Sequence, residues 1–211
     1  DLVGEYDLGQ SLNHAREGLE IARDHGLRHE EARCGLEIGR TLRLLARQAE
    51  ARDMIWDLAE VFEEFGDGER AGLVHRTLSA IYLDLGLFEE ALEHNQKALL
   101  IFDQIGQQEY YGMALLDSAF VMRKRHDFDE ALAILKSVDA RLGKLPDSAA
   151  IRYRRMILLY DTALTLLDAG NDLEVTNVVV AAIELCRELG NTSIETACHG
   201  IAALAHARLG Q

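Results

Sequence analysis

The sequence predicts an all-α solenoid built from stacked antiparallel helix hairpins. Three observations lead there. First, GLFEEALEHNQKAL, from Gly86 to Leu99, is nearly rewritten as HDFDEALAILKSV from His126, a step of 40 residues. Ala91 recurs as Ala131 going forward, and as Ala51 and then Ser11 going back. Second, a single proline, Pro146, in 211 residues leaves glycine as the main punctuation, which favours helix throughout. Third, Phe88, Ala91, Leu92, Ala98 and Leu99 share one helix face, and no run alternates apolar and polar with β-branched residues. Repetition at this period marks a structure assembled from identical small bricks.

The elements follow in chain order. By register, Asp1 to about Leu8 is the tail of a helix, and a partial repeat ends at residue 26. Repeats over 27–66, 67–106, 107–146 and 147–190 are complete, and 191–211 reads as a first helix without its partner. Together they form one array. In the best copy, helices from about Arg70 to Leu85 and from Phe88 to Ile105 meet at Gly86, where an achiral residue takes the left-handed cap. Gly39, Ser79 and Ala119 keep a small residue on each first helix, so that two backbones approach closely. The register shifts by four through GKLPD and resumes with Ala163, Ala203, Gly170 and Gly210. Gly26, Gly66, Gly106 and Gly190 close the second helices. One hairpin alone would leave an apolar face in water, so the copies must stack. The cut repeats at both ends lead us to expect a portion of a longer protein.

The order of a small residue, Tyr82, Leu85, Gly86, Phe88, Ala91 and Ala98 resembles the tetratricopeptide repeat. Met122 and Leu166 depart from it where an aromatic is usual, Val175 stands for an alanine, and no proline ends the repeat. The 40-residue period exceeds the usual ~34 and is similar to the longer variety in kinesin light chains and bacterial regulators. The resemblance implies a right-handed superhelix whose first helices line a concave groove. It also implies a non-catalytic, regulatory domain that binds a protein or peptide within a larger bacterial signalling protein.

A formal net charge of -14 disfavours nucleic acid and anionic membrane as partners. No apolar run approaches the ~20 residues of a membrane span, and DLVGEYDLGQ lacks the basic and apolar regions of a signal peptide, so a cytoplasmic location is expected. Cys34, Cys186 and Cys198 contain no CxxC pair and read as buried packing residues of a reducing compartment; Cys186 and Cys198 could meet across a repeat boundary. GxGxxG, GxxxxGK[ST] and GxSxG are all missing. HEEAR at His29 lacks the second histidine of a zinc-binding helix and reads as a helix start with acids near its positive end. His75, His94 and His126 read as solvated or capping. Neither an enzyme nor a cofactor or metal site is expected.

What remains is surface. If first helices line the groove, register places Arg33, Arg40 and Arg43 there, then Arg76, then Phe120, Arg123 and Lys124, then Tyr160. This face reads as locally basic with apolar patches. It would suit an extended or helical peptide with acidic groups, with Arg40, Arg76 and Arg123 as bidentate carboxylate contacts and Phe120 and Tyr160 as anchors. The competing reading pairs these arginines with neighbouring acids such as Glu37 or Asp117. The asparagine clamp that chaperone-binding members use has no counterpart at matching positions. A second functional class is self-association, in which apolar surface at a repeat end pairs with a second copy and the groove binds nothing.

Overall fold

The computed structural model describes residues 2–210, with side chains placed from residue 7 onward. Every regular element among them is helical: α1 (Leu2–Asp24), α2 (Arg28–Leu44), α3 (Gln48–Ile55), α4 (Leu58–Glu64), α5 (Gly68–Asp84), α6 (Phe88–Gln104), α7 (Gln108–Lys124), α8 (Phe128–Leu142), α9 (Ala149–Asp168), α10 (Asp172–Leu189) and α11 (Thr192–Arg208). Two features differ from the sequence reading. The helix expected to end near Leu8 instead continues through Gly9 as part of α1. The second helix of the repeat around Ala51 is divided into α3 and α4 by a turn at Trp56 and Asp57.

Packing separates two compact units, Asp1–Ala114 and Leu115–Gln211, with the boundary inside α7. In the first unit, helices pack as sequential hairpins, and the small residues of the first helices explain how closely. A Cβ added at Gly39 would lie 2.2 Å from Ile55 Cγ2, and one at Gly72 would lie 2.5 Å from the Phe102 ring. Phe102 is fully buried with Ala98 and Ala114, and its ring stacks on Tyr110 at 5.3 Å.

The second unit holds two apolar clusters. Ala119, Leu135, Val138, Leu142 and Leu158 join α7, α8 and α9. Ala163, Leu167, Val175, Val179, Cys198 and Ile201 join α9, α10 and α11. Burial of these side chains, each contributing ~1.5–3 kcal/mol when it is large, is what a lone hairpin could not achieve.

The hairpin turns share one geometry. At Gly86 the chain turns left-handed with φ 75°, while Gly86 N donates to Leu83 O at 3.0 Å and Leu87 N to Tyr82 O at 2.9 Å. These two hydrogen bonds satisfy carbonyls that the helix end leaves open. Ala46 and His126, one period before and after, repeat the turn with φ 58° and 66° although neither is glycine.

Candidate functional site

The expected surface divides between the two units, and each part is built from the first helices of its own repeats. On α2, Arg33 Nη1 donates to Glu30 Oε2 at 2.7 Å, and Arg40 Nη1 to Glu37 Oε1 at 3.2 Å. Both arginines sit one turn from their partners and remain about half exposed, at 45% and 49%. The hydrogen bond from Arg33 holds Glu30 below the usual carboxylate range. Arg43 reaches further. Its Nε donates to Asp84 Oδ2 on α5 at 2.8 Å, which fastens one hairpin to the next. Arg76 is half-buried on α5.

Beside these residues lies a hollow of about 240 Å³, lined by Ala15 of α1, by Glu30, Arg33, Cys34 and Glu37 of α2, and by Arg70 of α5. Arg70 was not among the residues expected from sequence. It belongs to a local set in which Asp67 caps α5, accepting from Arg70 N at 3.1 Å, from Arg70 Nη1 at 2.7 Å and from His29 Nε2 at 2.9 Å. Burial alone would raise the Asp67 pKa, but the hydrogen bonds from Arg70 and His29 outweigh it and keep the carboxyl ionised. The locally basic groove is therefore corrected for this unit. Arg33, Arg40 and Arg43 each stand against a carboxylate, and the hollow is mixed in charge.

The second unit requires a stronger correction. Arg123, expected as a carboxylate contact for a partner, is only 9% exposed and donates from Nη1 to Asp168 Oδ2 on α9 at 2.9 Å. Its guanidinium carbon lies 4.9 Å from the Phe120 ring centroid, and Lys124 Nζ lies 5.4 Å from the same centroid. The face of Phe120 thus carries two cations and is no open apolar anchor. Lys124 is exposed, and Tyr160 is half-buried against the α9–α10–α11 core. Asp161, next to Tyr160, has its pKa raised to about 6 by burial and by the Asp117 charge, against the pull of Arg123.

Arg43 and Arg123 are two 40-residue periods apart in the sequence, and each ties its helix to the next first helix. The competing reading, that these arginines pair internally, holds for both, with Asp84 and Asp168 as the acids. Reach between helices explains why sequence missed the partners: they lie 41 and 45 residues away. The histidines also differ from expectation. His75 of α5 and His94 of α6 are half-buried and buried, with their Nδ1 atoms 3.1 Å apart, and His94 stacks on Tyr82 at 5.3 Å. HEEAR behaves as read, starting α2 with Glu30 and Glu31 in its first turn.

Among the described residues, no group of three or more His, Cys, Asp or Glu side chains is placed to hold a metal ion, and no helix is long and apolar enough to cross a membrane. The tetratricopeptide repeat profile matches residues 69–138, spanning the hairpin α5–α6 and most of the next. The remaining helices follow the same plan, and solved tetratricopeptide-like structures share the fold well beyond the matched stretch. A kinesin light chain of Podosopora anserina, with nearly identical repeats of this type, superposes with a TM-score of 0.66 at 15% identity, over 85% of this chain and 87% of that one. RapI in its apo form gives a TM-score of 0.62 at 17% identity, over 99% of this chain and 62% of that one. A Rap protein complexed with Competence and Sporulation Factor gives 0.64 at 15% identity, over 96% of this chain and 60% of that one. This chain thus spans about three-fifths of either Rap protein. No curated protein sequence matches it significantly. The tetratricopeptide repeat is in general a non-catalytic interaction scaffold.

Proposed function

We propose that this tetratricopeptide array is the regulatory, partner-binding part of a larger bacterial signalling protein, and that the exposed faces of its first helices receive a protein or peptide. The observation that carries the reading is the hollow between α1, α2 and α5. There, Arg33 and Arg70 project beside Glu30 and Glu37, held by carboxylates one turn away on their own helices. The Arg33–Glu30 and Arg40–Glu37 pairs are exposed, and such pairs are worth about 0–1 kcal/mol, so a partner carboxylate that binds Arg33 or Arg40 bidentately displaces them at little cost. Arg43 and Arg123 act as fasteners of the scaffold. Arg76, Lys124 and Tyr160 extend the contact surface on their own units, and Phe120 positions the Lys124 ammonium. The Rap protein solved with Competence and Sporulation Factor supports the reading by analogy of fold.

The test is capture from source-cell lysate by wild type and by an Arg33→Glu, Arg40→Glu variant shown by circular dichroism to be folded. A partner held by wild type and lost by the variant, with at least tenfold weaker binding once it is purified, is the expected result. Equal capture by both would overturn the role of this face.

A second reading has its own observation. Ala203 and Leu204 of α11 are exposed, whereas Ala163 and Leu164, one period earlier on α9, are buried and half-buried. This apolar strip would suit pairing with a second copy. Sedimentation of wild type and Leu204→Lys over a range of concentrations separates the two readings, because only self-association makes the mass depend on concentration and on Leu204.

A further inference from the structure

Residues 141–155 reverse the charge of the chain around them. They carry five bases, Arg141, Lys144, Arg152, Arg154 and Arg155, against one acid, Asp147. This formal +4 sits in a chain of -14, so the rest of the sequence sums to -18. The stretch is the corner where α8 passes into α9, within the second unit. Leu142 and Ile151 pack in one cluster with Leu158 and hold the two sides of the corner together, while Arg141, Lys144 and Arg152 are exposed. Two apolar side chains stand open among these bases, Leu145 at 43% and Tyr153 at 49%.

The scaffold does not ask for bases here. Each of α2 to α8, and α10 and α11, places an acid in its first turn, near the positive end of the helix dipole. α9 places none. Its start relies on Ser148, whose hydroxyl oxygen accepts from Ile151 N at 3.2 Å, and Arg152, Arg154 and Arg155 follow at once. By register, Tyr153 stands where α5 and α7 carry Glu69 and Glu109. Bases that served only to offset the excess acid would cost less at a helix C-terminus, where the dipole favours them. The corner already holds one carboxylate. Arg152 Nε donates to both oxygens of Asp147 at 3.1 Å, and Arg152 Nη2 to Oδ2 at 2.8 Å. These hydrogen bonds, and after them the Arg152 and Arg155 charges, keep the exposed Asp147 carboxyl below its usual range.

We propose that the α8–α9 corner docks an acidic segment of another protein, a short run of Asp and Glu whose carboxylates pair with Lys144, Arg152 and Arg155 and whose apolar side chains rest on Leu145 and Tyr153. Arginine forks match carboxylates, and an aromatic beside them anchors the segment. The exposed Arg152–Asp147 pair contributes little, so Asp147 yields its place to a partner carboxylate. A short peptide fits better than nucleic acid or an anionic membrane, because it touches only the corner, whereas an extended polyanion also meets the field of the -18 carried elsewhere. The surface is separate from the hollow between α1, α2 and α5, and the inference stands whatever that hollow binds.

The probe is a dye-labelled octapeptide of Asp and Glu around a central Leu-Phe pair, followed by fluorescence anisotropy in about 0.05 M sodium chloride. The full chain carries Arg33→Glu and Arg40→Glu throughout, so that the first-unit face adds nothing. Saturable binding that weakens as salt is raised is the expected result. Arg152→Glu with Arg155→Glu should weaken it about tenfold, and Lys144→Glu about threefold. The Tm of the double variant should not fall, because it restores acids to the start of α9. Carbodiimide coupling should join a peptide carboxylate to Lys144. No binding, equal binding by the variants, coupling at Lys97 or Lys124 in place of Lys144, or tighter binding of a single-stranded oligonucleotide or of phosphatidylserine vesicles than of the peptide would each overturn the proposal. Lys144 lies outside the helices, so the Lys144→Glu and coupling results stand even if the double variant folds poorly.

Discussion

Ala46 and His126 hold a left-handed backbone that glycine holds at Gly86 and Gly170. A Cβ in this region meets the following carbonyl, at a cost of ~1 kcal/mol. Ala46→Gly is therefore expected to stabilise the chain by ~0.5–1 kcal/mol, read as a higher urea midpoint with unchanged slope. A lower midpoint would mean that the greater freedom of glycine in the unfolded chain outweighs the strain. His75 and His94 store a different cost. Burial first, and the neighbouring His94 and Lys97 charges second, push His75 down to about 4, and burial also lowers His94. A histidine with a depressed folded pKa leaves stability unaffected above its unfolded value near ~6.5, because both states are then neutral. Below that value the unfolded chain takes up protons that the folded chain refuses, so stability falls as pH drops from ~6.5 towards 4. Thermal melts across this window should show the loss, and a His75→Gln, His94→Gln chain should show a shallower slope. An unchanged slope would assign the acid sensitivity to other groups.

Helix pairing depends on the small residues of the first helices. Gly72 faces the Phe102 ring so closely that one added methyl group must displace an aromatic side chain that is itself fully buried and stacked on Tyr110. Gly72→Ala is expected to cost ~1–3 kcal/mol through overpacking, although alanine is the better helix former by ~1 kcal/mol. Gly112 offers the control: nothing lies within 4 Å of its added Cβ, so Gly112→Ala should be neutral or stabilising. Equal effects at both glycines, measured by urea unfolding, would reject the close-approach argument. The division of α3 from α4 at Trp56 belongs to this level as well, and nothing in the structure explains it.

The chain carries a net charge of -14, and its ion pairs include many exposed arginine–carboxylate contacts. Self-repulsion of the excess acids acts over the whole molecule and is screened beyond ~8 Å at physiological salt, whereas exposed pairs contribute little individually. Raising sodium chloride from about 0.02 M to about 0.5 M should therefore raise the Tm of both units. A fall in Tm would mean that the ion pairs outweigh the repulsion. Much of the architecture was legible in the sequence because each repeat writes its small, aromatic and glycine positions into its own 40 residues. Ala51, Ala91 and Ala131 are all buried, as their shared register implied, whereas Ser11, the fourth member of that register, is exposed. The candidate site was less legible. A helical phase shows which way Arg43 or Arg123 points but not which acid waits on the next hairpin, and a histidine 19 residues from another gives no sign that their rings meet.

The sequence by itself determined the helical class, the hairpin repeat, the turns at Gly86 and Gly170, and the α2 start at HEEAR. These rest on short-range rules: periodicity, glycine's access to the left-handed region, and charge at a helix end. Only the tertiary structure decided that Arg123 is a buried fastener on Asp168, that Phe120 lies under two cations, and that His75 meets His94. Each of these depends on which side chain of another helix arrives at the same point. That is set by packing between elements, and no local pattern of residues encodes it.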